Sequence, residues 1–226
     1  MTCCPVYQDV ADQQFTEKIA DRDLATYRRK GAGLTTRLLC DALVAAGAAN
    51  GSLLDIGTGI GVLTFELLDR GISTAIAVDA SAAYVKAASE EAARRNRSGV
   101  IQFVNDDFLT AAGDIPSATI VAVDRVICCY PQWERLLSEA LRHTDRYFAI
   151  SYPRNVWYVR AGNDFVNVGR RIRGQRFRTF VHPPAQMAEL IRRAGFAPAF
   201  SRNTRMWRVE SYSRSSSGSE TARNAV

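Results

Sequence analysis

The sequence predicts an α/β fold: one open, mostly parallel sheet of seven strands, the last antiparallel, with helices on both faces and a helical N-terminal segment. Three observations predict it. From Ser52 to Arg146, short continuously apolar runs alternate with amphipathic segments, and strands apolar on both sides belong to parallel sheets covered on both faces. Residues 6–46 read as helices without a strand. The runs "FAPAFSRNT" and "RMWRVESYS" lie close enough to form an antiparallel pair.

Taken in order, "VYQDVADQQFTEKIA", "DRDLATYRRK" and "LTTRLLCDALVAAG" are the N-terminal helices; Gly31 and Gly33 break the last two, and Gly47 suits a helix end. "SLLDIG" is the first strand. "VLTFELLDR" sets Leu63, Leu67 and Leu68 or Phe65 on one side and stops at Gly71. "TAIAVD" is the next strand, and Ser81 is the N-cap of the helix "AAYVKAASEEAARRN". "VIQFVND", "ATIVAVD" and "RYFAIS" are strands; between the last two, "PQWERLLSEALRH" puts Trp133, Leu136, Leu137, Ala140 and Leu141 on one stripe. "AQMAELIRRAG" is a helix leaving at Gly195, and the polar run from Ser213 has nothing to bury. The expected organisation is a helical lid over 1–50, a ligand-binding domain over 51–212 with an insert at 152–181, and a disordered tail over 213–226.

Composition excludes several classes. No run of eighteen apolar residues suggests a membrane span, and the N-terminus lacks the basic start and apolar centre of a secretion signal. Cys3, Cys4, Cys40, Cys128 and Cys129 form neither a disulfide framework nor, with two histidines, a zinc site. Reduced thiols in a cytoplasm and no metal are the expectation. Net charge is +6, with arginine far ahead of lysine. Seven arginines and one acid, Asp164, fall between Arg154 and Arg178, which fits an anionic partner or a solvated face.

The stretch "LLDIGTGIGVLT" carries the chemistry. Gly57, Gly59 and Gly61 follow Asp55, and glycines at a strand end let backbone approach a ligand. A dinucleotide loop needs a glycine where Val62 stands, and amide donors for a pyrophosphate rather than an acid. An acid suits a ligand with an ammonium group and no phosphate. Asp79 ends the second strand, where a carboxylate can take both ribose hydroxyls. Asp107 and Phe108, in "FVNDDF" after the third strand, fit an adenine site.

With these acids in this order, residues 52–146 resemble a class I S-adenosylmethionine-dependent methyltransferase. The resemblance implies a Rossmann-like fold, S-adenosyl-L-methionine as cofactor, and cofactor contacts from Asp55, Gly57, Thr58, Gly59 and Gly61, from Asp79, Ala80 and Ser81, and from Asp106, Asp107, Phe108 and Asp124. Tyr27 and Lys30 are expected to close the N-terminal helices over the cofactor. The turn after the fourth strand, "DRVICCYPQ", is where such enzymes place acceptor chemistry. Its "YPQ" is similar to the His-Tyr-Pro-Gln turn of magnesium-protoporphyrin O-methyltransferases. "YRRKGAGLTTRLL" and "TFVH" add to the likeness, while Cys129 replaces the turn histidine and "SYPRNVWYVRAGN" departs from it.

Cys-Cys-Tyr-Pro argues against nucleic-acid adenine methylation, and Cys128 and Cys129 read as structural. Tyr130, Asp124 and His182 are the candidate catalytic residues, for positioning the acceptor or taking its proton; His143 reads as a helix-dipole partner. The insert mixes arginine with Tyr152, Trp157, Tyr158, Phe165, Phe177 and Phe180, a composition suited to a flat anionic small molecule or to RNA bases. The expected function is methyl transfer to a small anionic or aromatic acceptor. An RNA methyltransferase and a non-catalytic S-adenosylmethionine-binding protein are the alternatives.

Overall fold

The computed structural model describes residues 7–214. The elements are α1 (Tyr7–Gln14), α2 (Glu17–Lys30), α3 (Leu34–Ala45), β1 (Ser52–Ile56), α4 (Val62–Leu68), β2 (Thr74–Asp79), α5 (Ala82–Arg94), β3 (Ile101–Asn105), α6 (Phe108–Ala111), β4 (Ala118–Asp124), α7 (Trp133–Arg142), β5 (Thr144–Pro153), α8 (Trp157–Ile172), α9 (Pro184–Arg193), β6 (Phe196–Asn203) and β7 (Trp207–Arg214). The sheet runs β3-β2-β1-β4-β5-β7-β6. All neighbours are parallel except β7, which is antiparallel to both β5 and β6.

The apolar strands explain the two-sided core. Leu53, Ala75, Ala77, Ile120 and Ala122 pack to one side with α3 and α4. Their neighbours Leu54, Ile56, Val78, Val121 and Val123 pack to the other, against Phe108 and the Trp133–Leu141 stripe of α7. That is the strand period of two, with both faces buried. The chain leaves β1 toward β2 and β3, then returns to place β4 on the other side of β1. A crevice opens beyond the strand ends at such a reversal.

Two expectations need correction, on the N-terminal helices and on the start of the tail, and the insert carries a helix of its own. "VYQDVADQQFTEKIA" is two helices: α1 ends before Phe15, whose carbonyl accepts from Ser81 Oγ at 2.9 Å, and α2 restarts after Thr16 and runs unbroken to Lys30. The 152–181 insert contains the sixteen-residue helix α8. Ser213 and Arg214 belong to β7, where Ser213 pairs with Tyr147 and Ala197 and the Arg214 guanidinium donates to the carbonyls of Thr144 and Asp145. The rest of the expected tail lies outside the described residues, as do Cys3 and Cys4. No helix among the described residues is long and apolar enough to cross a membrane.

Candidate functional site

A cavity of about 740 Å³ opens over the carboxyl ends of β1, β2 and β4 and is roofed by α1 and α2; small-molecule sites run to roughly 300–1,000 Å³. Tyr7, Ala11, Phe15, Asp23, Tyr27 and Lys30 line it from the roof. Phe15 joins the roof to both walls. It stacks on Tyr84 at 5.1 Å and meets Phe177 edge-on at 5.2 Å.

The glycine loop is built by backbone it does not release. Gly57 N and Thr58 N both donate to the carbonyl of Val78, at 2.8 and 3.0 Å, and Gly61 N donates to the Thr58 carbonyl at 3.0 Å. Gly59 N donates to Asp79 Oδ2 at 2.8 Å. Asp79 Oδ1 accepts from Ser81 N, also at 2.8 Å. Gly57 has φ +70°, and a Cβ there would stand 2.3 Å from Val126 Cγ2, so only glycine lets β1 turn beside the Val126 segment. A Cβ on Gly59 would meet nothing nearer than 4.0 Å.

Acids gather on this side. Asp55 Oδ2 accepts from Thr58 Oγ1 and Thr64 Oγ1, each at 2.8 Å, which ties the end of β1 to α4. Burial pushes both the Asp55 and Asp79 carboxyls up to about 6, against the pull of these hydrogen bonds. Asp106, Phe108 and Asp124 also line the cavity. Asp124 is held by hydroxyls: Thr36 Oγ1 donates to Oδ2 at 2.6 Å and Ser151 Oγ to Oδ1, with Arg125 Nε 3.8 Å away. Both oxygens of Asp124 are thereby engaged by hydroxyls of α3 and β5.

On the opposite wall stand Cys128, Cys129, Tyr130, Arg170, Phe177 and Thr179. Tyr130 stacks on Tyr7 at 4.1 Å and donates to Asp107 Oδ1 at 2.7 Å. The two thiols are 3.9 Å apart. The Arg170 guanidinium lies over the Phe177 ring at 4.9 Å and donates to Thr179 Oγ1 at 3.3 Å; burial holds its pKa below the ordinary value. Among the described residues it has no carboxylate partner.

Of the expected cofactor residues, Asp55, Gly57, Thr58, Gly59, Asp79, Ala80, Asp106, Phe108, Asp124, Tyr27 and Lys30 line the cavity. Gly61, Ser81 and Asp107 stand behind it. Gly61 has φ +83° and precedes α4. Ser81 caps α5 and holds Phe15. Asp107 caps α6 and anchors Tyr130, so Asp106 is the acid that reaches the cavity after β3.

His182 does not line the cavity. Its Nε2 lies 3.0 Å from the Ile127 carbonyl, and its ring packs against Phe180 and Trp133. With Phe180 N donating to the Cys128 carbonyl at 2.7 Å, it fastens the end of the insert to the Ile127–Cys129 turn. Burial keeps its pKa below the ordinary value. His143 spans the Glu139 and Ala112 carbonyls.

The insert supplies less than its composition suggested. Phe177 alone of its aromatics lines the cavity; Tyr152 is buried and donates to Glu210 Oε2 at 2.7 Å, while Trp157 and Phe165 face solvent. Sequence reasoning missed Tyr7, Phe15, Thr36, Tyr84 and Arg125. Arg125 adopts φ +62° and donates its N–H to the Ser151 carbonyl at 3.2 Å; neither property is written in residue spacing.

Residues 53–146 match a family model described as a methyltransferase domain. No curated protein matches the chain. Among solved structures, magnesium protoporphyrin IX methyltransferase from Synechocystis PCC 6803 with bound S-adenosylhomocysteine is 21% identical. It matches over 92% of this chain and 100% of that one, with a TM-score of 0.70. The 1,6-didemethyltoxoflavin-N1-methyltransferase of Burkholderia thailandensis is 17% identical over 91% of each chain, with a TM-score of 0.58. The [4+2]-cyclase SpnF is 12% identical, over 93% of this chain and 97% of that one, with a TM-score of 0.69. At these identities the likeness is one of fold.

Proposed function

From the premise that residues 53–146 are a class I methyltransferase domain, we propose that the chain binds S-adenosylmethionine in the cavity and methylates a small anionic or aromatic acceptor. One observation carries the cofactor assignment. The N–H groups of Gly57, Thr58, Gly59 and Gly61 are all committed inside the protein, and Asp55, Asp79, Asp106 and Asp124 face the same space. A pyrophosphate would find acids where it needs donors. A ligand with an ammonium group, a sulfonium and ribose hydroxyls finds acceptors.

In this reading Asp79 takes the ribose hydroxyls, and Asp106 with Phe108 serves the adenine. Asp55, Asp124 and the Gly57–Gly59 backbone face the amino-acid end. Bound there, S-adenosylmethionine supplies an electrophilic methyl carbon on a good leaving group. The protein's task is alignment and exclusion of water, with α1, α2 and the Phe15–Phe177 contact closing the roof. Arg170 and Phe177, a half-buried cation against an aromatic ring, favour an acceptor that is both flat and anionic. No histidine lines the cavity among the described residues, which favours an acceptor already ionised or weakly basic at neutral pH.

Calorimetry with S-adenosylhomocysteine tests the cofactor. The purified chain should bind it, Asp79→Ala should weaken binding by about tenfold or more through two lost hydrogen bonds, and preference for a nicotinamide nucleotide would overturn the reading. Because SpnF shares the fold and is a cyclase, transfer itself needs its own assay. Label from methyl-labelled cofactor should appear in a small molecule of a metabolite extract; label in RNA, or none anywhere, would replace this acceptor assignment.

A further inference from the structure

The outer face of α8 is an apolar stripe with nothing over it. Trp157, Ala161, Phe165, Val168 and Ile172 are spaced by four, four, three and four residues, so they share one side of the helix. Val159, Asn163, Asn167 and Arg170 occupy the opposite side and hold α8 to the body: Asn163 and Asn167 both donate to the Thr179 carbonyl, at 2.9 and 2.7 Å. The stripe therefore points away from the protein. Trp157 is 80% exposed, Phe165 81% and Ile172 80%. Met206, also exposed, adjoins the start of the helix, where Arg154 N donates to its carbonyl at 2.8 Å and Tyr158 Oη donates to the Arg205 carbonyl at 2.7 Å.

A solvated helix has no reason to place large apolar side chains at helical spacing on its wet side. The border of the stripe is basic. Arg160 and Arg171 lie along one edge of it, with Asp164, the single acid of the helix, on the same edge; Arg173 and Arg176 follow its end, and Arg205 stands beside its start. Among the described residues none of these five arginines has a carboxylate partner.

We propose that α8 is a surface-docking helix that lays this stripe into the interface of an anionic phospholipid bilayer. Apolar side chains on one face with arginines along one edge and at both ends is an arrangement that burial in the headgroup region and attraction to anionic lipid both reward. Sixteen residues with arginines and an aspartate lie on a bilayer and do not cross it. A second copy is the poorer occupant, since a two-fold contact through this stripe would bring the same unpaired arginines against themselves. The opposite side of the same helix sends Arg170 into the cavity, so docking holds the Arg170 wall toward the lipid surface.

Vesicle flotation of the full chain tests this directly. The protein should float with phosphatidylglycerol-containing vesicles and stay behind with phosphatidylcholine alone, and rising salt should release it. Trp157 emission should shift to the blue on anionic vesicles, and Trp157→Phe should abolish that shift. Phe165→Glu and Ile172→Glu should each lower vesicle binding by about tenfold or more, while melting temperature and S-adenosylhomocysteine affinity stay at the wild-type values. Absence of binding to anionic vesicles would overturn the proposal whatever the cofactor result. So would a dimer that Phe165→Glu converts to monomer without any vesicle binding by the wild type, which would give the face to a second copy.

Discussion

Tyr130 donates its phenol proton to Asp107 Oδ1 at 2.7 Å while its ring lies 4.1 Å from that of Tyr7. The phenol is thereby spent on the protein. Burial, Tyr7 and Asp107 all push its ionisation well above the ordinary tyrosine range, so it is an anchor for the wall and not a base. Tyr130→Phe keeps the stack and loses one hydrogen bond, at a cost of about 1 kcal/mol in urea unfolding. Methyl transfer should fall by less than about tenfold, the kinetic equivalent of that same loss. A drop several orders of magnitude larger would make Tyr130 a group that touches the acceptor.

Gly57 and Gly59 should separate fold from site. Gly57→Ala forces a side chain into φ +70° and against Val126 at 2.3 Å, so destabilisation of about 3 kcal/mol or more is expected in denaturant titration. Val126→Ala removes the two nearest methyl groups and should recover part of it. Gly59→Ala carries the strain of φ +56° without a clash and should cost about 1–2 kcal/mol. Equal losses at both positions would contradict the contact with Val126.

The strands, their order of appearance and the glycine loop were legible because each is carried by a local signal: continuous apolar runs, a period of two or 3.6, an acid beside glycines. The place of Asp79 on the cavity was legible for the same reason, being the last residue of an apolar strand. Asp106 and Asp107 were not separable, because which of two neighbours turns inward depends on the α6 cap and on Tyr130 some twenty residues away. The place of His182 was not legible because its partner is the Ile127 carbonyl, a contact made by topology. Which insert residues face the cavity was illegible for a deeper reason. Arginine mixed with aromatics has one composition whether it faces a cavity or the outside, and only the helical phase of α8 decides, sending Arg170 in and Phe165 out.

Arg170 should set acceptor affinity. It has no carboxylate partner among the described residues, and it sits half-buried over the Phe177 ring at the cavity wall. With an anionic acceptor in hand, Arg170→Met should raise its KM by about tenfold to a hundredfold, the worth of a charge-assisted pair. S-adenosylhomocysteine affinity, measured by calorimetry, should stay within about threefold of wild type under the noise of such comparisons. A loss confined to cofactor binding would move Arg170 to the other side of the site.

Acidification should weaken the cofactor site before it weakens the fold. The Asp55 and Asp79 carboxyls titrate near 6 in the folded chain and near 3.8 in the unfolded one. Between those values the folded state holds more protons, so their contribution to stability is greatest at low pH and is lost as pH rises from 3.8 through about 6. A ligand that presents an ammonium group and ribose hydroxyls prefers the ionised carboxylates and reverses the sign. The Kd for S-adenosylhomocysteine should therefore be flat above pH 7 and rise below about 6, by up to about tenfold per pH unit for each carboxylate that must ionise. Asp79→Asn should weaken binding at neutral pH and flatten that dependence. An affinity that improves on acidification would mean that the carboxyls meet the ligand protonated, and the assignment of Asp79 to the ribose would fall.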